Sequence, residues 1–516
     1  MTTTSAPPLP PQDGTVSVRV DETTAGTRGT TAEDLLREAA HLYADDPAAS
    51  EAVERLRRRL QEPLRVALAG RIKAGKSTLL NAIVGEELAP TDTGECTRIV
   101  TWYRHGEVPD VTVRLRDGTA ARQPVRRVRG RLQLDTGGHD LREVARIEVT
   151  WPSPALTRMT VIDTPGLASL STEVSERTTE ALTPELGAPE VDAVVYLMRH
   201  LHTSDAELLE AFREATVGDA SAVGTLAVLS RADEIGGGRI DAMVSASDVA
   251  RRYAHDPRVR AMALDVLPVA GLLAEGAHAL RQVDFDALRE IAMLPPARRE
   301  SLLASADRFG TQSVDELEVA SPALRAELLA RLGFYGVRLA SALLRGPGLD
   351  ATALAKELSR RSGLGPLTSA LTTQLGQRAG ALKTRSALAG LEQVLAEHPR
   401  DEAADLAERA DALRAGDHAI TELEWAARLR RGAAGALEDV LRTEAERLLG
   451  MHGSAPSERL GLAPSASREK QLDAAMAASE RWRWVAADPL SDRESVGLAL
   501  SAVRSLDALL LQLGGS

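Results

Sequence analysis

Gly70, Gly75, Lys76 and Ser77 stand in a G-x-x-x-x-G-K-S run, the spacing of a loop that wraps a polyphosphate. The two glycines free the backbone to turn, so that successive N–H groups converge on phosphate oxygens. Lys76 offers a point charge to the β- and γ-phosphates, and the Ser77 hydroxyl suits Mg²⁺. The expected phosphate-binding set is Gly70, Ala74, Gly75, Lys76, Ser77 and Thr78. Further residues follow in an order that fits a guanine nucleotide. Thr97, twenty residues beyond Ser77, is the candidate to close on Mg²⁺ and the γ-phosphate. Asp163 in Asp163-Thr164-Pro165-Gly166 can hold Mg²⁺ through water, and the Gly166 N–H can reach the γ-phosphate. Asp233 offers a carboxylate to the two N–H donors of guanine, and Ala270 and Gly271 offer a backbone N–H to its oxygen. The usual base-binding pattern is [NT]-K-x-D; here it reads Ser230-Arg231-Ala232-Asp233. Arg231 can stack on the base as a lysine stem does, while Ser230 in place of Asn removes one bracing side chain.

These groups need elements to hold them. The apolar run from Leu64 to Ala69 reads as a strand entering the loop, and Thr78 to Val84 as the helix leaving it. That helix aims its positive end at the phosphates. MTVID ends in Asp163, VDAVVYLM (191–198) is almost wholly apolar, TLAVLS ends before Arg231, and VLPVAG ends the series. Apolar strands of this kind are buried on both faces, and their alternation with helices, including Ser204 to Ala215, predicts an α/β fold with a doubly wound, mostly parallel sheet. Ligands of such sheets sit at the carboxyl ends of the strands. A β-rich insert lies between Val111 and Trp151. Its basic stretch, Arg126, Arg127, Arg129 and Arg131, reads as a solvated face.

Composition narrows the function classes. The net charge of −12 argues against general nucleic-acid binding. Cys96 is the single cysteine, so an intramolecular disulfide and a C-x-x-C metal site are both excluded. With aromatics at 3% of 516 residues, Leu, Ala and Val must build the core, which favours helix packing. Residues 1–30 read as a disordered tail without the apolar centre of a signal peptide. No uninterrupted apolar run of about eighteen residues occurs, so no single membrane-spanning helix is expected.

Two helical stretches, Thr31 to Ala44 and Pro47 to Leu60, precede the phosphate loop. Beyond about Leu324 the chain is helical throughout: 322–344, 354–391, 402–415, 421–449, 469–487 and 491–513. The expected division is a tail (1–30), N-terminal helices (31–62), a nucleotide domain (63–322) and a helical neck or short stalk (323–516), with the N-terminal helices completing the bundle. Two amphipathic stretches, Phe334 to Leu344 and Leu498 to Leu513, are candidates for membrane contact; an apolar helical stripe more often faces a core.

LRVALAGRIKAGKSTLLNAIVG, APTDTGECTRIVTWYRHG, VIDTPG, VLSRADEIGGGRIDAM, PVAGLLA, RLGFYGVRLA, RSGLGPL and LKTRSAL together resemble the bacterial dynamin-like GTPases, in particular the isoniazid-inducible (Ini) subgroup and its shorter, IniC type. The resemblance implies a cytoplasmic, peripherally membrane-associated GTPase that binds GTP and Mg²⁺. It also implies self-association through the GTPase domains, a longer dynamin-like paralogue as partner, and a helical bundle coupling nucleotide state to membrane shape. The chain departs from the family where many dynamins carry a water-positioning Gln: Ile72 stands there. Arg71 or Lys73 is the candidate to stabilise transition-state charge instead. The rival expectation is a GTP-binding module that regulates a longer dynamin without touching lipid; an ATP-driven enzyme fits Asp233 and D-T-P-G poorly.

Overall fold

Strand β1 (Leu64–Gly70) is buried on both faces, as its apolar run requires, and the sheet grows outward from it on either side. The computed structural model describes residues 31–89, 99–128, 130–165, 191–200, 223–432, 435 and 437–514. Its other strands are β2 (Thr101–His105), β3 (Asp110–Leu115), β4 (Ala120–Gln123), β5 (Arg126–Val128), β6 (Arg131–Gln133), β7 (Val144–Trp151), β8 (Met159–Asp163), β9 (Ala193–Met198), β10 (Thr225–Ser230) and β11 (Val266–Val269). The main sheet runs β11-β10-β9-β1-β8-β2-β7-β3-β4, and β5 and β6 form a separate hairpin. From β11 to β8 every pairing is parallel. Antiparallel pairing begins at β8–β2 and returns at β7–β3 and β3–β4, within the β-rich insert. Arg127 and Arg131 of the exposed hairpin reach back to Glu86 and Glu87 beyond the phosphate-loop helix α3 (Lys76–Val84).

The N-terminal helices form where their caps say they should. Thr31 and Asp34 make a reciprocal capping box for the first, α1 (Ala32–Leu42), and Asp46 with Pro47 starts the second, α2 (Pro47–Gln61). Leu35, Leu36, Val53 and Leu56 bury against Leu388, Leu391, Leu406 and Ala410 of helices Ala379–Glu397 and Ala403–Gly416. Helices from before the phosphate loop and from 379–416 therefore share one helical core.

The long helical stretches are broken where tertiary contacts demand it. The 354–391 stretch divides at Gly363 (φ 82°), where a Cβ would collide with the Pro268 carbonyl of β11. The 421–449 stretch divides into His418–Arg430 and Asp439–Leu448. Helix Arg493–Gly514 corrects the expectation that nothing is long and apolar enough to cross a membrane: by length and composition it is. It lacks an unbroken apolar run because Arg504 and Asp507 interrupt it. It lays Leu498, Ala502, Leu506 and Leu509 into a core with Trp482, while Leu500 and Leu511 are exposed. Residues 1–30, Thr97, Arg129, Gly166 and the 204–215 helix lie outside the described residues.

One buried ion pair joins the helices to the sheet. Arg59 in the last turn of helix Pro47–Gln61 binds the Asp192 carboxylate, which also accepts the Arg65 N–H at 2.7 Å. Lys383 donates to the carbonyls of Leu60 at 2.7 Å and Glu62 at 2.9 Å, closing the same joint from the C-terminal half. Removing one partner of a buried pair strands the other charge. Arg59→Ala is therefore expected to cost roughly 3–5 kcal/mol in urea unfolding, whereas Arg122→Ala, which breaks an exposed pair with Asp110, should cost less than about 1 kcal/mol.

Candidate nucleotide site

Register places the chemistry. Leu68 of β1 lies opposite Asp163, Gly70 opposite Leu197, Leu197 opposite Val228, and Ser230 opposite Val269, so the functional loops leave one edge of the sheet side by side. A cleft of about 150 Å³ opens at that edge, lined by Ala74, Gly75 and Thr78 of the phosphate loop and its helix and by Arg231, Asp233, Gly271 and Leu272. Phosphate-type and base-type residues, more than 150 positions apart, thus share one cavity.

The phosphate loop is fixed by a close approach. Gly70 has φ +148°, and a Cβ there would lie 2.5 Å from the Leu197 carbonyl oxygen, so no side chain fits. Lys76 Nζ folds over the loop and donates to the Gly70 carbonyl at 3.1 Å. Burial pushes its ammonium below the ordinary range, against the pull of Asp163. Ser77 Oγ donates to Asp163 Oδ2 at 3.1 Å. Burial raises the Asp163 pKa, opposed by Lys76 and Ser77. Asp163 Oδ1 is buried with no hydrogen-bond partner. An orphaned carboxylate oxygen beside a serine hydroxyl is a donor set that fits Mg²⁺, a hard cation that takes one or two protein oxygens and completes its shell with phosphate and water. Among the described residues no group of three or more His, Cys, Asp or Glu is placed to hold a metal ion.

At the base end, Asp233 is buried, and burial, reinforced by Glu234, pushes its carboxyl up to about 6. Ser230 Oγ donates to the Met198 carbonyl at 3.1 Å, so the residue in the usual Asn position still braces β10 to β9. Arg231 adopts a left-handed backbone (φ 52°), and its guanidinium donates to the Lys73 carbonyl at 3.2 Å and to Glu234 at 2.8 Å. It ties the base loop to the phosphate loop. The Ala270 expectation fails on geometry: its N–H is already donated to the Ser362 carbonyl at 2.8 Å, and Gly271, not Ala270, lines the cleft. Arg71, Ile72 and Lys73 are exposed at the loop crest. Thr97 and Gly166, which lie outside the described residues, are not placed.

Two contributors carried no role in the sequence reading. Asn81, the last residue of KSTLLN, accepts the N–H groups of Leu88 at 2.9 Å and Ala89 at 2.7 Å and donates to Glu275 Oε1 at 2.8 Å. It pins the chain leaving α3 to the helix after β11. Gly333, 100 positions beyond Asp233, stands against that carboxylate. Residue type and spacing point to neither; the likeness of RLGFYG to a family is the one signal that marks Gly333.

Comparison with known proteins follows the same lines. A model described as the dynamin family matches residues 66–231, which takes in the phosphate loop and Asp163 and stops two residues short of Asp233. The isoniazid-induced protein IniC of Mycobacterium tuberculosis (strain H37Rv) is 42% identical over 460 residues, 89% of this chain and 92% of its own. The isoniazid-induced protein IniA of the same strain is 35% identical over 150 residues, 27% of this chain and 22% of its own. A bacterial dynamin-like protein of Nostoc punctiforme is 41% identical over 63 residues, 12% of this chain and 9% of its own. A solved chain from an oligomerised bacterial dynamin pair covers 88% of this chain and 60% of its own, at 15% identity and a TM-score of 0.28.

A carboxylate that must be ionised to accept two N–H donors loses them on protonation. With Asp233 near 6, GTP affinity is expected to hold above pH 7 and to fall by about tenfold per unit once pH drops well below 6. Titration calorimetry across pH 5–8 checks this, and Asp233→Asn should abolish the dependence along with most of the affinity.

Proposed function

This chain belongs to the dynamin family of GTPases, in the group of the IniC proteins, and from that premise we propose that it binds and hydrolyses GTP in the cleft above β1 and converts the nucleotide state into movement of its helical bundle. The observation that carries the reading is the single cavity in which the phosphate loop, Arg231 and Asp233 meet.

In this reading the backbone of Gly70 and of Ala74 to Thr78 cradles the phosphates. Lys76, released from the Gly70 carbonyl, takes the β- and γ-phosphate oxygens. Ser77 and Asp163 would hold Mg²⁺, which when bound neutralises charge on the phosphates. Thr97 and Gly166 close on the γ-phosphate. Asp233 pairs with the guanine edge, Arg231 flanks the base, and the N–H at Gly271 takes over the task expected of Ala270. With Ile72 in the Gln position, Arg71 or Lys73 meets charge developing on the transferred phosphoryl group.

The division of labour follows the chain: residues 63–322 act as the nucleotide domain, the helices of 31–62 and 323–516 as neck and short stalk. The protein works in the cytoplasm and at the inner face of the cell membrane, pairs through its nucleotide domains, and remodels or maintains membrane, with a longer dynamin-like paralogue as partner. The likeness to IniA over 150 residues supports such a paralogue. The joint that crosses between helices and sheet, Arg59 to Asp192, supports a mechanical link. A second reading is a slow-cycling GTP-binding module that regulates the longer partner. It is favoured by the apolar Ile72, 47% exposed where a water-positioning amide is expected.

Hydrolysis measured against protein concentration, with and without anionic liposomes, separates the two. The membrane reading expects specific activity to climb with protein or lipid and Lys76→Ala to lower it by about a hundredfold or more. A flat, near-blank rate with intact GTP binding would select the regulatory module. Lys73→Ala or Arg71→Ala should slow hydrolysis by about tenfold or more with GTP affinity little changed, and parental rates in both would remove the loop cations from the mechanism.

A further inference from the structure

The long helix Pro322–Leu343 is broken at one residue, and that residue stands at the base end of the cleft. Gly333 has φ 68° and ψ 170°, so two helical pieces meet there at a kink. A Cβ built on Gly333 would lie 3.2 Å from Asp233 Oδ2 and 3.7 Å from Leu272 Cδ2. Asp233 and Leu272 both line the cavity. The φ value belongs to glycine, and a Cβ there would press on the carboxylate oxygen, which would have to give way to admit it.

The residues just past the break grip the other parts of the base end. Arg338 donates to the Gly238 carbonyl at 3.0 Å, holding the loop that follows Asp233. The same guanidinium is anchored on the Leu303 carbonyl at 2.8 Å and lies 4.0 Å from the Phe334 ring. A Cβ on Gly238 would come within 3.6 Å of the Tyr335 nitrogen and 3.7 Å of the Asp233 carbonyl oxygen. On the opposite side, Gly336 packs against Leu273, two residues after Gly271. One short segment thus touches the carboxylate, the loop after it and the helix that carries Gly271.

We propose that Gly333 is a positioning residue for base recognition: the break in helix 322–343 sets where the Asp233 carboxylate stands, and so contributes to the preference for guanine over bases with fewer donors on that edge. A carboxylate accepting two parallel N–H donors needs both oxygens placed, and a displaced oxygen forfeits one bond. Hypoxanthine lacks the 2-amino group and offers one donor, so the affinity ratio of GTP to inosine triphosphate reads the second bond. The assignment lies outside residues 66–231, the part of the chain that matches the dynamin family model. It rests on the reading of the cleft as a guanine-nucleotide site.

The test is titration of the full chain with GTP and with inosine triphosphate in Mg²⁺. The parent should favour GTP by about tenfold, the worth of one charge-assisted hydrogen bond. In Gly333→Ala the affinity for GTP should fall by about that factor while the affinity for inosine triphosphate changes little, so the ratio approaches one. Gly348→Ala is the control: it has φ 90° with nothing within 4 Å, and its ratio should stay parental. If Gly333→Ala fails a circular-dichroism test of folding, Arg338→Gln, which leaves the break and loosens the Gly238 loop, should lower the ratio in the same way. A parental ratio in the folded Gly333 variant, or in the Arg338 variant where that one does not fold, overturns the proposal. A parent chain that binds neither nucleotide overturns the guanine reading itself.

Discussion

The buried pairing of Arg59 with Asp192 is the constraint on which the rest hangs. A guanidinium and a carboxylate out of water must meet each other and find further partners, and here the second partner is the backbone N–H of Arg65 at the start of β1. Helix Pro47–Gln61, β9 and β1 therefore share one fixed point. Lys383 seals it from a helix more than 300 residues away in sequence. The joint sits where β1 begins, and the phosphate loop begins where β1 ends. Seven residues of extended chain, about 20 Å, separate them. A stiff strand, buried at every residue but Arg65, is what stands between the helices and the phosphate loop.

At the far end the same economy recurs. The phosphate and base loops are not merely neighbours, because the Arg231 guanidinium closes on the Lys73 carbonyl. Asn81 does likewise for the chain leaving α3 and the helix after β11. The Asn81 bonds are buried, where an unmade bond is costly, and the Arg231 bond lies at the surface; together they tie segments far apart in sequence. The loops carry the chemistry, and these cross-links keep them in one frame.

Much of this is legible in residue order. The phosphate loop, D-T-P-G and Asp233 each follow an apolar strand, and a doubly wound sheet brings strand ends together, so the gathering of Gly70, Asp163 and Asp233 at one sheet edge follows from pattern alone. The sharing of one core by α-helices from before and after the sheet strands also follows, since amphipathic helices with no sheet to cover must pair with something. What sequence could not reveal depends on contacts across long separations. The Ala270 N–H looks free until Ser362 is seen to accept it. Gly333 and Gly363 look like interruptions in good helical periodicity until Asp233 and the Pro268 carbonyl are found where their side chains would go. Helix Arg493–Gly514 misleads in the other direction: two charges hide its apolar average, and its partner helices account for the buried half.

The sharing of one core by helices from before the phosphate loop and from 379–416 has a consequence for how the chain is made. Tyr43 donates to the His398 carbonyl across 355 positions. At ribosomal speeds of roughly 5–20 residues per second, that interval lasts on the order of tens of seconds. Throughout it, Leu35, Leu36, Val53 and Leu56 have been synthesised and their covering helices have not. The strands of the main sheet are thus made between two groups of helices that pack on each other, and the first group waits for the second. Helices Ala32–Leu42 and Pro47–Gln61 thus stay uncovered until the helices of 379–416 follow, and their apolar faces are what a nascent-chain chaperone would meet.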